Sequence, residues 1–318
     1  MIFEHTATWA AVLGAIAYGT GDFLGGCASR RLTTFSVVAI AQGVAVAFLL
    51  QNYAFAQSAL PAGASGWMSV TAGIAYAIGV ISMYEGLAHG RIAVVASICA
   101  LLSILVPLAG DLMLSRDISQ NEFIGIILCA AATLLIVRAA RVSDRRSIGW
   151  SVRVGATAGI AFGAGDIGLG TMPPELAPGA MLIARCVAAT IAVALALGPA
   201  LLLSSKAVAG SLPARPAALT AAMDVSAPTR TPRQFIPLSA GLVTSLALSI
   251  GAGLLDALGH IGYVHAATRG SMGVAAALVA IFPAVTVLLA ATLLRERITQ
   301  AQILGFGLGA GGIVFIAG

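Results

Sequence analysis

Apolar runs of membrane-crossing length, each ended by proline, glycine or charge, make up nearly the whole chain. A membrane helix needs ~20 mostly apolar residues. Ten runs meet that requirement, at residues 7–28, 33–53, 66–88, 91–114, 120–138, 150–171, 178–203, 237–267, 270–294 and 300–317. Very short turns join the third to the fourth, the eighth to the ninth and the ninth to the tenth, which predicts antiparallel hairpins. The pattern stops at about 205–235. There Pro213, Pro216, Pro228 and Pro232 stand among Ser, Thr, Ala and three Arg, the composition of a flexible insertion.

The pattern also repeats. Ala15-Ile16-Ala17-Tyr18-Gly19-Thr20-Gly21-Asp22 returns as Gly159-Ile160-Ala161-Phe162-Gly163-Ala164-Gly165-Asp166. Further on, residues 70–138 align without a gap on 250–318, with 17 of 69 positions identical. Chance would give roughly 6 or 7 in so Ala/Leu/Gly-rich a chain. The expected fold is an all-α polytopic membrane protein of ten transmembrane helices in two five-helix repeats, residues 1–140 and 141–318. Five is odd, so the second repeat is expected to be inverted relative to the first, an arrangement that suits alternating access to a midplane site.

Composition agrees. The 318 residues are 59% hydrophobic and 9% charged, against ~25% charged in soluble domains. The net charge of +5 is no nucleic-acid signal, because the basic residues flank apolar segments and form no dense tract. With the N-terminus outside, 14 of the 17 Lys/Arg fall on the inner side, Arg116 and Arg269 fall outside, and Arg185 lies within a helix. The positive-inside rule then puts both termini on the outer side of the cell (inner or plasma) membrane, with the Pro-rich loop cytoplasmic. Residues 1–9 hold no Lys or Arg, so the first segment reads as a retained helix and not as a cleaved signal. Cys27, Cys99, Cys129 and Cys186 stand singly, so neither a metal site nor a redox dithiol is indicated. No nucleotide or haem motif is present, and no cofactor is expected.

Asp22 and Asp166 come first among the candidates, since ionisable groups at membrane depth are costly and usually functional. Asp22 lies eight residues before Arg30 and Asp166 thirteen after Arg153, hence ~12 and ~20 Å from the inner interface. Gly19, Gly21, Gly163 and Gly165 precede them and permit close helix approach or local unwinding. The alternative is that each carboxyl only hydrogen-bonds a neighbouring helix. Arg185 lies near the depth of Asp166, which makes Asp166 its natural ion-pair partner; binding an anionic substrate group is the other reading. Its counterpart in the first half is Gln42, so this charge is not duplicated. Asp256 and His260, four apart, share a helix face and suit either proton transfer or a buried hydrogen-bonded pair. Glu85 with His89, and Asp111, read as interfacial and solvated, and Arg295-Glu296-Arg297 as a solvated turn. Pro107 and Pro283 are expected to kink their helices and to serve as hinges or simply to shape the bundle.

These residues carry a family resemblance. Tyr18-Gly19-Thr20-Gly21-Asp22-Phe23-Leu24 is similar to the "G-s-[nd]-f" stretch of the EamA-type branch of the drug/metabolite transporter superfamily. Pro283, Leu294-Arg295-Glu296-Arg297-Ile298-Thr299 and Gly305 resemble that family's closing pattern. Arg116 departs from it, standing where the family usually has the Glu matched by Glu296, and Ser103 stands where the second copy has Pro283. The resemblance spans essentially the whole chain. It implies ten helices in two repeats and a secondary transporter, often an exporter of amino acids, other metabolites or toxic compounds.

Two other classes compete. Both copies spell Gly-x-Gly-Asp and Pro199-Ala200-Leu201 follows, which resembles an intramembrane aspartyl protease. Such a dyad needs its carboxyls close together, and these differ by ~8 Å in depth alone. A passive facilitator is the other alternative, told apart by whether a pH gradient drives uphill movement. The expected partners are a small-molecule substrate, protons and the lipid bilayer, in a monomer or homodimer. The expected mechanism is proton-coupled export, with Asp22 or Asp166 exchanging protons for substrate, Arg185 setting the charge and Asp256/His260 relaying.

Overall fold

The structure is a computed structural model that describes residues 2–28, 32, 34–89, 92–138, 147–208, 242–293 and 297–317. The Pro-rich stretch 209–241, the 140/141 boundary and Arg295-Glu296 lie outside the described residues, as do the side chains of Glu85 and His89. All described regular structure is helical: α1 (Ile2–Ala28), α2 (Thr34–Ala56), α3 (Gly63–His89), α4 (Ile92–Met113), α5 (Gln120–Arg138), α6 (Ile148–Gly170), α7 (Ala177–Val208), α8 (Leu242–Ala267), α9 (Met272–Val279), α10 (Phe282–Leu293) and α11 (Gln300–Ala317). Helices suit an apolar solvent because they satisfy their own backbone groups. The ten expected spans agree with these bounds to within a few residues, α9 and α10 together making the ninth.

Eight of the spans are long and apolar enough to cross a bilayer on that criterion alone; α1 and α6, which carry the repeated Gly-x-Gly-Asp, fall outside that set. Their glycines and acid lower the hydropathy of helices whose neighbours are mainly protein. Capping repeats too. Ser119 and Glu122 form a reciprocal capping box at the start of α5, and Thr299 and Gln302 form its counterpart at α11. Each satisfies two of the amides that a helix start leaves unpaired.

Packing partners follow the same exchange. α1 packs chiefly on α8 and also meets α9 and α10, while α6 packs equally on α3 and α4; α2 packs on α8 as α7 does on α3; and α2 with α7 and α5 with α11 close the bundle. The first helix of each half is thus held mainly by the other half.

One cavity of about 450 Å³ is lined by Ala7, Thr8, Ser119, Arg269 and Ala317 among others. Both chain ends therefore share a face with the α4–α5 and α8–α9 connections, here called the terminal face. Packing is uneven between the two faces. The larger core cluster gathers Ala7 and Ala11, Leu108, Leu169 and Met172, and Met272–Leu278, all toward the terminal face. Seven consecutive residues of α9 are buried, whereas α10, its continuation toward the opposite face, has no buried residue.

The break at Ala280–Ile281 lies one turn before Pro283. Proline has no amide to donate back to residue 279, and Thr133 Oγ1 of α5 donates to the Ala280 carbonyl at 2.8 Å. Pro107, by contrast, sits inside an unbroken α4.

Candidate functional site

Six helices send polar side chains into the bundle interior. From α1, the Tyr18 hydroxyl lies 3.1 Å from His260 Nδ1 of α8. The His260 ring stands edge-on to Tyr76 of α3, centroids 5.1 Å apart. The Tyr76 hydroxyl donates to Asp166 Oδ1 of α6 at 2.7 Å. Arg185 of α7 completes the set. Its guanidinium lies 2.9 Å from Asp256 Oδ2 of α8 and donates to Gln42 Oε1 of α2 at 3.1 Å.

Glycines let these helices approach. A Cβ at Gly259 would stand 2.7 Å from the Tyr18 ring, and one at Gly79, its counterpart 180 residues earlier, 2.7 Å from the Phe162 ring. Gly165 receives Tyr76, while Gly21 lies against Ala252 and Leu255, beside Asp256. Gly19 is packed by Phe282 and Val285 of α10, and Gly163 by Val106 and Pro107 of α4. All four motif glycines are therefore close-approach positions, and α1 and α6 run through them without unwinding.

Helical phase decides where the acids look. At 100° per residue, Asp22 lies ~150° around α1 from the exposed apolar face of Trp9, Leu13 and Ile16, which are 59%, 63% and 47% exposed. It points inward on the same side as Tyr18, yet its side chain is solvent-accessible, so it opens on the interior. Asp166 is turned inward on α6 by its hydrogen bond from Tyr76 of α3. Asp256 likewise lies opposite the exposed Val243, Ile250 and Leu254 of α8.

Several expectations change. Arg185 pairs with Asp256 and not with Asp166. The reason is packing: α7 lies on α2 and α3 and scarcely touches α6, its neighbour in sequence. Asp256 and His260 share a face but engage separate partners. Asp22 stands within electrostatic range of Asp256 while Asp166 is held by Tyr76, an arrangement unlike a proton-sharing aspartyl dyad. Tyr18, Tyr76 and Gln42 were not picked out as site residues. Tyr18 belongs to the repeated octapeptide and Gln42 is the counterpart of Arg185, so for these two a signal was there.

Asp111 differs most from its expected solvated position. It is fully buried, accepting from Ser271 Oγ at 2.7 Å and from the Gly273 amide at 2.6 Å, at the start of α9. Its other oxygen faces Arg116 at 3.6 Å. Arg116 in turn donates to the carbonyls of Ala267 at the end of α8, of Gly270 just beyond it and of Gly170 at the end of α6. A carboxylate at a helix start and a guanidinium over helix-end carbonyls both suit the helix dipole. Together they fasten the ends of α4, α6, α8 and α9 at the terminal face.

Residues 5–138 match the model of the EamA-like transporter family. No curated protein matches the chain. Among solved structures, a crystal structure of a protein aligns with a TM-score of 0.65 at 14% sequence identity, covering 97% of this chain and 95% of that chain. At that identity the likeness is one of fold.

Proposed function

We propose, from the match of residues 5–138 to the EamA-like transporter family model, that the chain is a membrane transporter of small solutes, a proton-coupled exporter working by alternating access between two inverted repeats, residues 1–140 and 141–318. The observation that carries this reading is the interior polar cluster, drawn from six helices. Toward the terminal face, α9 and the Asp111–Arg116 clasp close the bundle. Toward the opposite face, α10 has no buried residue and Asp22 is accessible. In this reading the terminal face is the outer one.

Asp22 and Asp166 then exchange protons for solute, Arg185 sets the charge of the site, and Asp256 and His260 relay protons. A carboxylate reachable from one side at a time can give up a proton on one side and take one on the other, which couples solute movement to the gradient. Pro283, with the α9–α10 break, supplies the hinge, because a freed carbonyl and a missing amide make that point bend at low cost.

Mass spectrometry of the growth medium tests this, comparing cells that express wild type, Asp22→Asn, Asp166→Asn or empty vector at matched protein levels. The expected result is a small set of solutes enriched by wild type and lost in at least one variant. In vesicles, dissipating the pH gradient abolishes their uphill movement. Flux that persists without accumulation identifies a passive facilitator, and identical media from all four strains overturn constitutive export.

A further inference from the structure

The cavity at the terminal face lies apart from the interior polar cluster. Ala7 and Thr8 of α1 form one wall, Phe315 and Ile316 of α11 the other, and Val274 and Leu278 of α9 lie between them. α1 and α11 scarcely touch each other, so the cavity occupies a gap between two neighbouring helices. Its edges run into the lipid-facing surface: Trp9 and Val314, next in sequence to Thr8 and Phe315, are 59% and 69% exposed. Tryptophan favours the level of the lipid headgroups, and Trp9 puts the mouth of the cavity at that level. A volume of about 450 Å³ is within the range of small-ligand sites.

The polar lining gathers where helices end. Ser119, Asn121 and Glu122 stand at the start of α5, Arg269 after α8 and Ser271 before α9. Two of these side chains are already engaged: Ser119 Oγ accepts from the Glu122 amide, and Ser271 Oγ donates to Asp111 and accepts from the Val274 amide. Two opposite charges stay available. Arg269 is exposed, and among the described residues its guanidinium meets only His265 Nδ1, at 3.1 Å. Glu122 accepts from the Ser119 amide through one oxygen at 2.7 Å, and its other oxygen has no partner among the described residues. Away from this rim the lining turns apolar, as far as Leu278, which lies ~10 Å along α9 from Ser271. One cation and one anion above an apolar wall, beside lipid, match a zwitterionic amphiphile. A guanidinium suits a phosphate and a carboxylate suits an ammonium, whereas an anionic headgroup would meet Glu122 as a like charge.

We propose that this cavity binds the headgroup of a zwitterionic glycerophospholipid, its phosphate on Arg269, its primary ammonium on Glu122 and one acyl chain leaving between α1 and α11 over Phe315. The site is independent of which solute the chain carries and of how that solute is driven. Its back wall is α9, so a lipid seated here bears on the helix that closes the terminal face.

The test is native mass spectrometry of the purified, delipidated full chain in detergent. It is titrated with phosphatidylethanolamine, with phosphatidylglycerol of the same acyl chains, or with the soluble headgroup phosphoethanolamine. One saturable phosphatidylethanolamine per chain is expected, held more tightly than phosphatidylglycerol. Arg269→Gln is expected to weaken it roughly ten-fold, as the loss of one charge-assisted hydrogen bond does. Glu122→Gln keeps the capping box, which takes Gln as well as Glu at that position. It is therefore expected to keep the wild-type melting temperature while erasing the preference for phosphatidylethanolamine, a change that a purely structural role of Glu122 would not produce. Equal retention of the two lipids by wild type, or retention without saturation, overturns the zwitterionic site. Binding unaltered in both variants overturns its placement in this cavity. Phosphoethanolamine held as tightly as the lipid identifies a soluble ligand and overturns the lipid, and retention of none of the three overturns the proposal outright.

Discussion

Arg185 shows how much of an interior charge the sequence discloses. A guanidinium within an apolar run needs a partner, and that need is legible; the partner is not, because it depends on which helices lie side by side. Asp166 matched in depth, yet α7 lies on α2 and α3, and Asp256 receives the charge. Asp22, Asp166, Asp256 and His260 were legible for the same reason as Arg185, being ionisable groups in apolar runs. Tyr76 was not, since tyrosines suit many places in a membrane bundle and only its contacts with Asp166 and His260 single it out. The pair itself makes a prediction. Removing one partner of a buried pair costs ~3–5 kcal/mol when both are fully buried, and less where, as here, one side chain is partly exposed. Arg185→Gln is therefore expected to lower the melting temperature in detergent more than Arg185→Gln with Asp256→Asn. Equal losses in the two variants would show that no charge had been stranded.

Helices were read from the sequence to within a few residues, because the length of an apolar run is set by bilayer thickness. What happens inside a helix was less legible. Pro107 and Pro283 looked alike, but Pro107 lies in an α4 packed along its length, wedged against Gly163, and the helix stays whole. Pro283 heads α10, which has no buried residue, and the ninth span breaks. The clasp at the terminal face escaped the sequence because Asp111 and Ser271 are 160 residues apart and no local pattern joins them. Hydrogen bonds to a charged group contribute ~1.5–3 kcal/mol, so Asp111→Asn is expected to raise the open population of the terminal face roughly ten-fold, the ratio that 1.4 kcal/mol represents. The check is the rate at which an impermeant maleimide labels Ala276→Cys, a buried α9 position, in a background without the native cysteines. An unchanged rate would mean that apolar packing alone closes this face.

At the scale of the molecule, the duplication was legible and the interlocking was not. Sequence divides the chain into consecutive halves, whereas packing places α1 against α8 and α6 against α3. Neither half holds the main partners of its own first helix. A chain divided after residue 140 is therefore expected to yield two fragments that each fail to accumulate in membranes alone and that copurify when made together. Stable accumulation of either fragment alone would show that five helices suffice.

Gln42 and Arg185 are counterparts 143 residues apart that touch each other. In a symmetric dimer of one five-helix chain, a residue at such a place would meet its own copy, two glutamines or two arginines and never one of each. Two glutamines leave Asp256 without its cation, and two arginines face each other in an apolar interior. The arrangement seen here is open only to a single chain whose two halves vary independently. Joining the copies thus did more than tether them: it allowed the centre of the protein to become unlike itself.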